Sequence, residues 1–283
     1  MLIVGCGDVG LRAAWFLRGQ RVLALTSSPG RAPQLRAAGI TPIAGNLDRP
    51  ASIARLAGLA TRVLHLAPPP LDGWTDPRTV ALARALRRRS LPTALVYAST
   101  SGVYGDCGGA WVDETRPVAP ATPRAQRRVN AERAVRHLGR AGVRASILRI
   151  PGIYANDRPG GNPRERLLRG TPVLVPEDDV YTNHIHADDL ARACVAALWR
   201  GRPGRIVHVC DDTELRMGDY FDWVADHFGL PRAPRLSRAE AAQQLSPMQL
   251  SFMGESRRLH NQRLKTELRV ALRYPTIREG LSV

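Results

Sequence analysis

The sequence opens with a short apolar run, Leu2–Val4, which leads into Gly5-Cys6-Gly7-Asp8-Val9-Gly10 and then into an amphipathic stretch from Leu11 to Leu17. A strand, a glycine-rich turn and a helix in that order constrain the fold more than any other feature of the chain. Gly5 permits a tight turn, Gly7 lets the backbone approach a pyrophosphate, and Gly10 allows close packing of helix on strand. The start of the helix, at Asp8 and Val9, then offers unpaired N–H groups to phosphates. We therefore expect a dinucleotide site at the beginning of the chain.

The pattern continues. Apolar runs at 21–26, 41–44, 63–66, 93–99 and 144–149 read as strands. Between them lie amphipathic stretches such as 80–87 and 130–138, the latter with Ala131, Ala134, Val135 and Leu138 on one face. Strands alternating with helices imply a parallel sheet with right-handed crossovers. The pattern changes after about residue 155, where Pro159, Gly160, Gly161 and Pro163 crowd together. The expected fold class is α/β: a Rossmann-type, doubly wound parallel sheet over residues 1–155. A smaller C-terminal α/β substrate-binding part over 156–283 follows, partly interleaved with that sheet.

Composition bears on partners. The 41 basic residues against 25 acidic ones give a formal charge of +16, which raises nucleic-acid binding as a possibility. The basic residues are scattered along the chain and all are arginine except Lys265, so we read a coding bias and not a phosphate groove. No apolar run approaches the ~20 residues of a membrane span, and Met1-Leu-Ile-Val-Gly reads as a strand, not a leader. Cys6, Cys107, Cys194 and Cys210 form no C-x-x-C pair, which points to free thiols in a reducing, cytoplasmic compartment.

The end of the second strand bears on which dinucleotide is bound. NAD sites commonly place an acidic residue there for the ribose diol. No acidic residue stands between Asp8 and Asp48; the position holds Thr26-Ser27-Ser28, followed by Arg31. Hydroxyls and a guanidinium suit a 2′-phosphate, so NADP(H) is favoured over NAD(H).

Further segments carry a resemblance. Ser99-Thr-Ser-Gly-Val-Tyr-Gly105, Leu148-Arg-Ile-Pro-Gly-Ile-Tyr154, Ile185-His-Ala-Asp-Asp-Leu190, Asn261-Gln-Arg-Leu-Lys-Thr-Glu-Leu268 and Tyr274-Pro-Thr run in a telling order. Together they resemble the extended short-chain dehydrogenases/reductases, the NAD-dependent epimerase/dehydratase proteins, and look most like an atypical branch. The resemblance implies that Asn46, Leu47, Leu66, Ala67 and Pro68 line the cofactor, and that Pro151 and Ile153 lie beside the nicotinamide. It also implies a small-molecule substrate, such as a nucleotide-sugar or another carbonyl or hydroxyl compound.

The family's chemistry uses a Tyr and a Lys four residues later, with a Ser or Thr. None of the six tyrosines here has that lysine, because Lys265 is the only one. By resemblance the two slots fall on Arg124 and Arg128, or one register away on Arg127. Arginine stays charged and cannot shuttle a proton near neutral pH. Thr100 keeps the hydroxyl position, with Ser101 behind it, while Ser101 and Gly102 stand where dehydratases carry Asp and Glu. Tyr104 reads as structural, and Asp113 or Glu114 as a loop carboxylate that could serve as base. The chain is thus read as an NADP(H)-dependent oxidoreductase or epimerase-like enzyme with a non-standard proton donor, or as a non-catalytic NADP(H)-binding sensor.

Three further patterns carry alternatives. His184, His186, Asp188 and Asp189 have metal-ligand chemistry, but the family segment explains them without a metal. Cys6 stands beside a helix start that can activate a thiol, though a small packed residue is the simpler reading. Arg257 and Arg258 fall where relatives bind a nucleotide-sugar diphosphate, or are an exposed pair. The stretch 123–141 carries six arginines against Glu132. That predicts a monomer or an altered dimer where relatives pair helices.

Overall fold

The computed structural model describes residues 1–282. Its central sheet has seven strands: β1 (Leu2–Val4), β2 (Leu23–Thr26), β3 (Thr41–Ala44), β4 (Arg62–His65), β5 (Ala94–Thr100), β6 (Arg144–Ile150) and β7 (Ile206–His208). Their order across the sheet is β7-β6-β5-β4-β1-β2-β3, and every pairing is parallel. The chain runs outward from β1 to β3, then returns to β4 on the other side of β1. That reversal opens a crevice at the carboxyl ends of β1 and β4, the switch point of an open parallel sheet. β7 comes from the second half of the sequence; only three residues long, it carried no periodic signal.

Alternation along β1 explains both faces. Ile3 packs into one core with Ala13, Cys194 and Leu198, whereas Leu2 and Val4 enter a second core with Leu82, Val135 and Leu138. The first layer is built by α1 (Asp8–Phe16) and a later helix, Ala187–Arg200; the second by Pro77–Leu86 and Pro123–Arg140. With both faces covered, the inner strands are almost wholly buried. The helix Pro123–Arg140 starts where expected, because Thr122 Oγ1 accepts from Ala125 N at 3.2 Å and Pro123 takes the first helical position.

A third core, with Leu167, Val173, Met217, Phe221, Val224 and Ile277, belongs to the C-terminal part. Two short parallel pairings join this part to the sheet. Gly152–Tyr154 pairs with His184–His186, and Trp111–Val112 pairs with Arg258–Leu259. The second pairing returns residues 255–258 to the segment that follows β5. Among the described residues no helix is long and apolar enough to cross a membrane.

Candidate functional site

The glycine turn lies at the switch point, and its three glycines do different work. Gly5 has φ 86°, and a Cβ there would stand 2.3 Å from Ala67 N. Leu66 N and Ala67 N both donate to Val4 O, at 2.7 and 2.9 Å, which draws the end of β4 onto the turn. Gly10 would meet Cys6 Sγ at 3.2 Å. A Cβ on Gly7 would meet nothing within 4 Å, because Gly7 opens onto a cleft of ≈ 280 Å³. That cleft runs from Gly5, Gly7, Asp8, Val9 and Gly10 past Leu66 to Ser99, Thr100 and Arg128, and Pro151, Ile153 and Arg158 close its other side.

An open glycine before a helix start, with a cleft the length of the strand ends, fits a dinucleotide's phosphates. Ser27, Ser28, Arg31, Asn46, Leu47, Ala67 and Pro68 lie outside the cleft wall, at the ends of β2, β3 and β4. Ser27 and Ser28 are exposed. Ser28 N donates to Thr26 Oγ1 at 3.2 Å, and Arg31 donates to Gln34 Oε1 at 3.3 and 3.2 Å.

At the far end, the structure separates the three arginines of the helix Pro123–Arg140. Arg128 lines the cleft, where its Nη1 donates to Ala98 O at 2.7 Å and to Tyr97 Oη at 3.1 Å. Arg127 is buried on another side, donating to Gly73 O at 2.5 Å. Arg124, one turn before Arg128, is exposed and lies with its guanidinium 4.5 Å from the Phe252 ring centre. Thr100 reaches the cleft with its Oγ1 accepting from Gly102 N at 3.2 Å. Ser101 is buried and does not reach the cleft wall.

A carboxylate the sequence did not single out stands just beyond Thr100. A Cβ on Gly102 would lie 3.6 Å from Thr100 Oγ1 and 3.8 Å from Glu255 Oε2. The space over Gly102 is thus bounded by a hydroxyl and a carboxylate. Arg257 Nη1 holds that carboxylate at 2.9 Å and also donates to Gly105 O at 2.8 Å. Desolvation lowers the Arg124 pKa, and the Glu255 charge works against that shift. Arg258 turns away, over Tyr181 and toward Glu214.

Below the cleft floor a buried network fixes these parts. Ser99 Oγ donates to Glu132 Oε1 at 2.7 Å, and Arg149 holds Glu132 at 3.1 and 2.8 Å. Arg149 also donates to Tyr104 Oη at 2.7 Å, which meets His208 Nε2 at 2.6 Å. Burial pushes the Tyr104 hydroxyl up to about 12, and the hydroxyl is held between Arg149 and His208, off the cleft wall. Glu114 is buried too, spent on His208 N at 3.0 Å and Arg263 Nε at 3.4 Å. Asp113 closes a turn with Thr115. Neither loop carboxylate reaches the cleft wall.

The other flagged groups are held in the fabric. His184 stacks on Tyr220, with ring centres 4.1 Å apart. His186 Nδ1 accepts from Asp188 N at 3.2 Å, and Asp189 accepts from the backbone of Arg273 and Tyr274. Cys6 is buried, and burial pushes its thiol up to about 11 against the charge of Arg31. At the turn, Asp8 accepts from Arg12 Nε at 3.0 Å and Arg158 Nε at 3.1 Å. The Asp8–Arg158 contact spans 150 residues of sequence, and no local pattern announces it.

Comparison with known proteins agrees with this geometry. Residues 7–210 match the family described as NAD dependent epimerase/dehydratase. A protein of Methanocaldococcus jannaschii named "Putative UDP-glucose 4-epimerase" is 24% identical over 162 residues, 53% of this chain and 52% of that one. The match therefore spans about half the length of that relative. A solved structure from Silicibacter pomeroyi, described as a functionally unknown conserved protein, is 31% identical, with TM-score 0.78 over 99% of this chain and 96% of that one. The UDP-glucuronic acid 4-epimerase of Bacillus cereus, solved with UDP-glucuronic acid and NAD, is 18% identical, with TM-score 0.76 over 99% and 96% of the two chains. By sequence match over most of its length, this chain belongs to the NAD dependent epimerase/dehydratase family.

Proposed function

We propose that this chain is an NADP(H)-preferring oxidoreductase or epimerase-like enzyme acting on a hydroxyl or carbonyl of a nucleotide-sugar or similar small molecule. One observation carries the reading: a single cleft joins the open glycine turn to Thr100 and Arg128. When bound, a nicotinamide dinucleotide supplies a hydride acceptor or donor. Thr100 Oγ1 holds the substrate oxygen over Gly102, and Glu255 takes or returns its proton in place of the family tyrosine. Arg257 keeps Glu255 aimed through the 2.9 Å contact of its Nη1 with Glu255 Oε2. Arg128 holds the cofactor ribose from the lysine position, without moving a proton. Thr26, Ser27, Ser28 and Arg31 receive the 2′-phosphate.

Titration of NADPH and NADH by quenching of tryptophan fluorescence tests the cofactor. Tighter NADPH binding is expected; equal or reversed affinities remove the role given to Ser27, Ser28 and Arg31. Catalysis is tested by nicotinamide absorbance with the bound oxidised cofactor and a panel of UDP- and dTDP-sugars. Reduction that is lost in Thr100→Ala supports the enzyme. A second reading, a non-catalytic sensor of the cofactor's redox state, is favoured by the two arginines at the tyrosine and lysine positions. Tight cofactor binding with no reduction of it by any sugar would move the weight there. We also expect a monomer or an altered dimer, because Arg133, Arg136 and Arg140 face solvent on the helix Pro123–Arg140. Facing copies of that surface would repel, and light scattering reports the outcome.

A further inference from the structure

Two guanidinium groups stand on the cleft wall. Arg128 is beside Thr100; Arg158 is at the opposite end, against the glycine turn. Arg158 comes from the loop after the strand Gly152–Tyr154, and it folds back across its own loop to get there. A Cβ on Gly161 would fall 2.7 Å from both Arg158 Cδ and Nη1, so this path exists because residue 161 has no side chain. The guanidinium ends at Asp8, with Nε 3.1 Å from Oδ2.

That pairing is not what fastens the loop. Arg12 already does so, binding Asp8 at 3.0 Å, Asp157 at 2.6 Å and Asp188 at 2.5 Å. Arg158 is thus a second cation brought to a carboxylate that has one. The place is also unusual for a carboxylate. Asp8 is the first residue of α1 and lines the cleft beside Gly7, where the helix start favours an anion. A phosphate there would be drawn to the same N–H groups and repelled by the carboxylate.

We propose that Arg158 is a diphosphate ligand of the cofactor site and that Asp8 is its placeholder. The carboxylate parks the guanidinium at the turn, and the incoming diphosphate takes over that charge-assisted bond. This inference rests on the dinucleotide reading above, and it adds a ligand that the glycine motif does not contain. The exchange makes Asp8 a competitor of the cofactor, so the two halves of one ion pair have opposite effects on affinity. A purely structural pair would not behave so, since breaking it from either side would do the same harm.

The test is calorimetric titration of NAD⁺ and NADP⁺ into the wild type, Arg158→Ala and Asp8→Asn, with thermal unfolding of each. The expected result is a loss of about tenfold or more in Arg158→Ala, as for a lost charge-assisted phosphate contact, and binding at or above the wild-type level in Asp8→Asn. Undiminished affinity in Arg158→Ala overturns the proposal, and so does weaker binding in Asp8→Asn. If Arg158→Ala fails to fold, Gly161→Val, which displaces the same guanidinium, must show the same loss. A wild type that binds neither dinucleotide overturns the dinucleotide reading itself, before any variant is measured.

Discussion

At the turn end of the cleft the surface is mostly backbone: Gly5 against the Leu66–Ala67 peptide, Gly7 open, Gly10 against Cys6. At the Thr100 end the surface is mostly side chains: Thr100 and Arg128 on the wall, with Glu255, held by Arg257 from a distant segment, bounding the space over Gly102. The difference governs what can change. A backbone site tolerates almost no substitution at the residues that make it, so its signature stays local and readable. A side-chain site can exchange one group for another supplied from elsewhere, as the approach of Glu255 and Arg257 from a distant segment illustrates.

The comparison is broken most directly at the turn. A side chain on Gly5 would collide with backbone at 2.3 Å and force a positive φ, so Gly5→Val should cost about 3 kcal/mol or more and lower the melting temperature severely. A Cβ at Gly7 meets nothing within 4 Å, so Gly7→Val should melt like the wild type and yet lose binding of both dinucleotides. Calorimetric titration beside thermal unfolding reads both. If Gly7→Val unfolds as Gly5→Val does, the claim that Gly7 serves the ligand and not the fold fails.

At the other end, the equivalent structural element is the buried pair of Arg149 and Glu132, each almost fully buried. Breaking such a pair from one side leaves an uncompensated charge, which costs about 3–5 kcal/mol. Glu132→Gln should therefore destabilise nearly as much as Gly5→Val, by chemical denaturation. It should also loosen Ser99, which donates to Glu132 from the cleft wall. A loss under about 1 kcal/mol, the size of an exposed pair, would mean that the cleft floor is softer than its burial implies.

A third variant sharpens the contrast by installing a tyrosine and a lysine at the two proposed slots. Arg124→Tyr with Arg128→Lys places a tyrosine and a lysine one helical turn apart, with the lysine on the cleft wall. If Glu255 now moves the proton, Glu255→Gln should lower turnover by about 10²–10⁴, the usual contribution of a tuned general acid. Adding Arg124→Tyr with Arg128→Lys to the Glu255→Gln variant should restore it. No gain in a variant that folds and binds NADPH would mean that the two arginines do not occupy the family slots.

How much was legible follows the same division. The turn and the seven-strand sheet except β7 can be read locally, because each depends on a motif or a period of a few residues, and Thr100 and Arg128, singled out from such motifs, line the cleft. The expected strand at 63–66 lies one residue earlier in the structure, at Arg62–His65. Glu255 and Arg158 were not readable, because neither belongs to a motif. They reach the site through the pairing of Arg258–Leu259 with Trp111–Val112 and through the fold-back over Gly161. Glu114 was a reasonable candidate by sequence position, but the fold spends it on His208 and Arg263. Ser101, one residue past Thr100, points into the protein because the chain turns into a short helix there.

A last expected effect lies outside the cleft and concerns Asp211, which is buried, with Oδ1 accepting from Thr213 N at 3.0 Å. Desolvation raises its pKa from 3.8 to about 8. The folded state therefore keeps a proton that the unfolded chain releases, so the contribution to stability is complete below pH 3.8 and is lost as pH rises through about 8. Thermal unfolding of the wild type should accordingly show a falling melting temperature across that window. Asp211→Asn removes the titration while keeping an oxygen for Thr213, so the variant should lose that slope and gain stability relative to the wild type as pH approaches 8. The reason is the one that protects Ser99 and Tyr104: a polar group deep in this fold is tolerated when it is neutral or paired. A slope that persists unchanged in Asp211→Asn would assign the pH dependence elsewhere. The next group to test would be Glu114, whose pKa burial also raises.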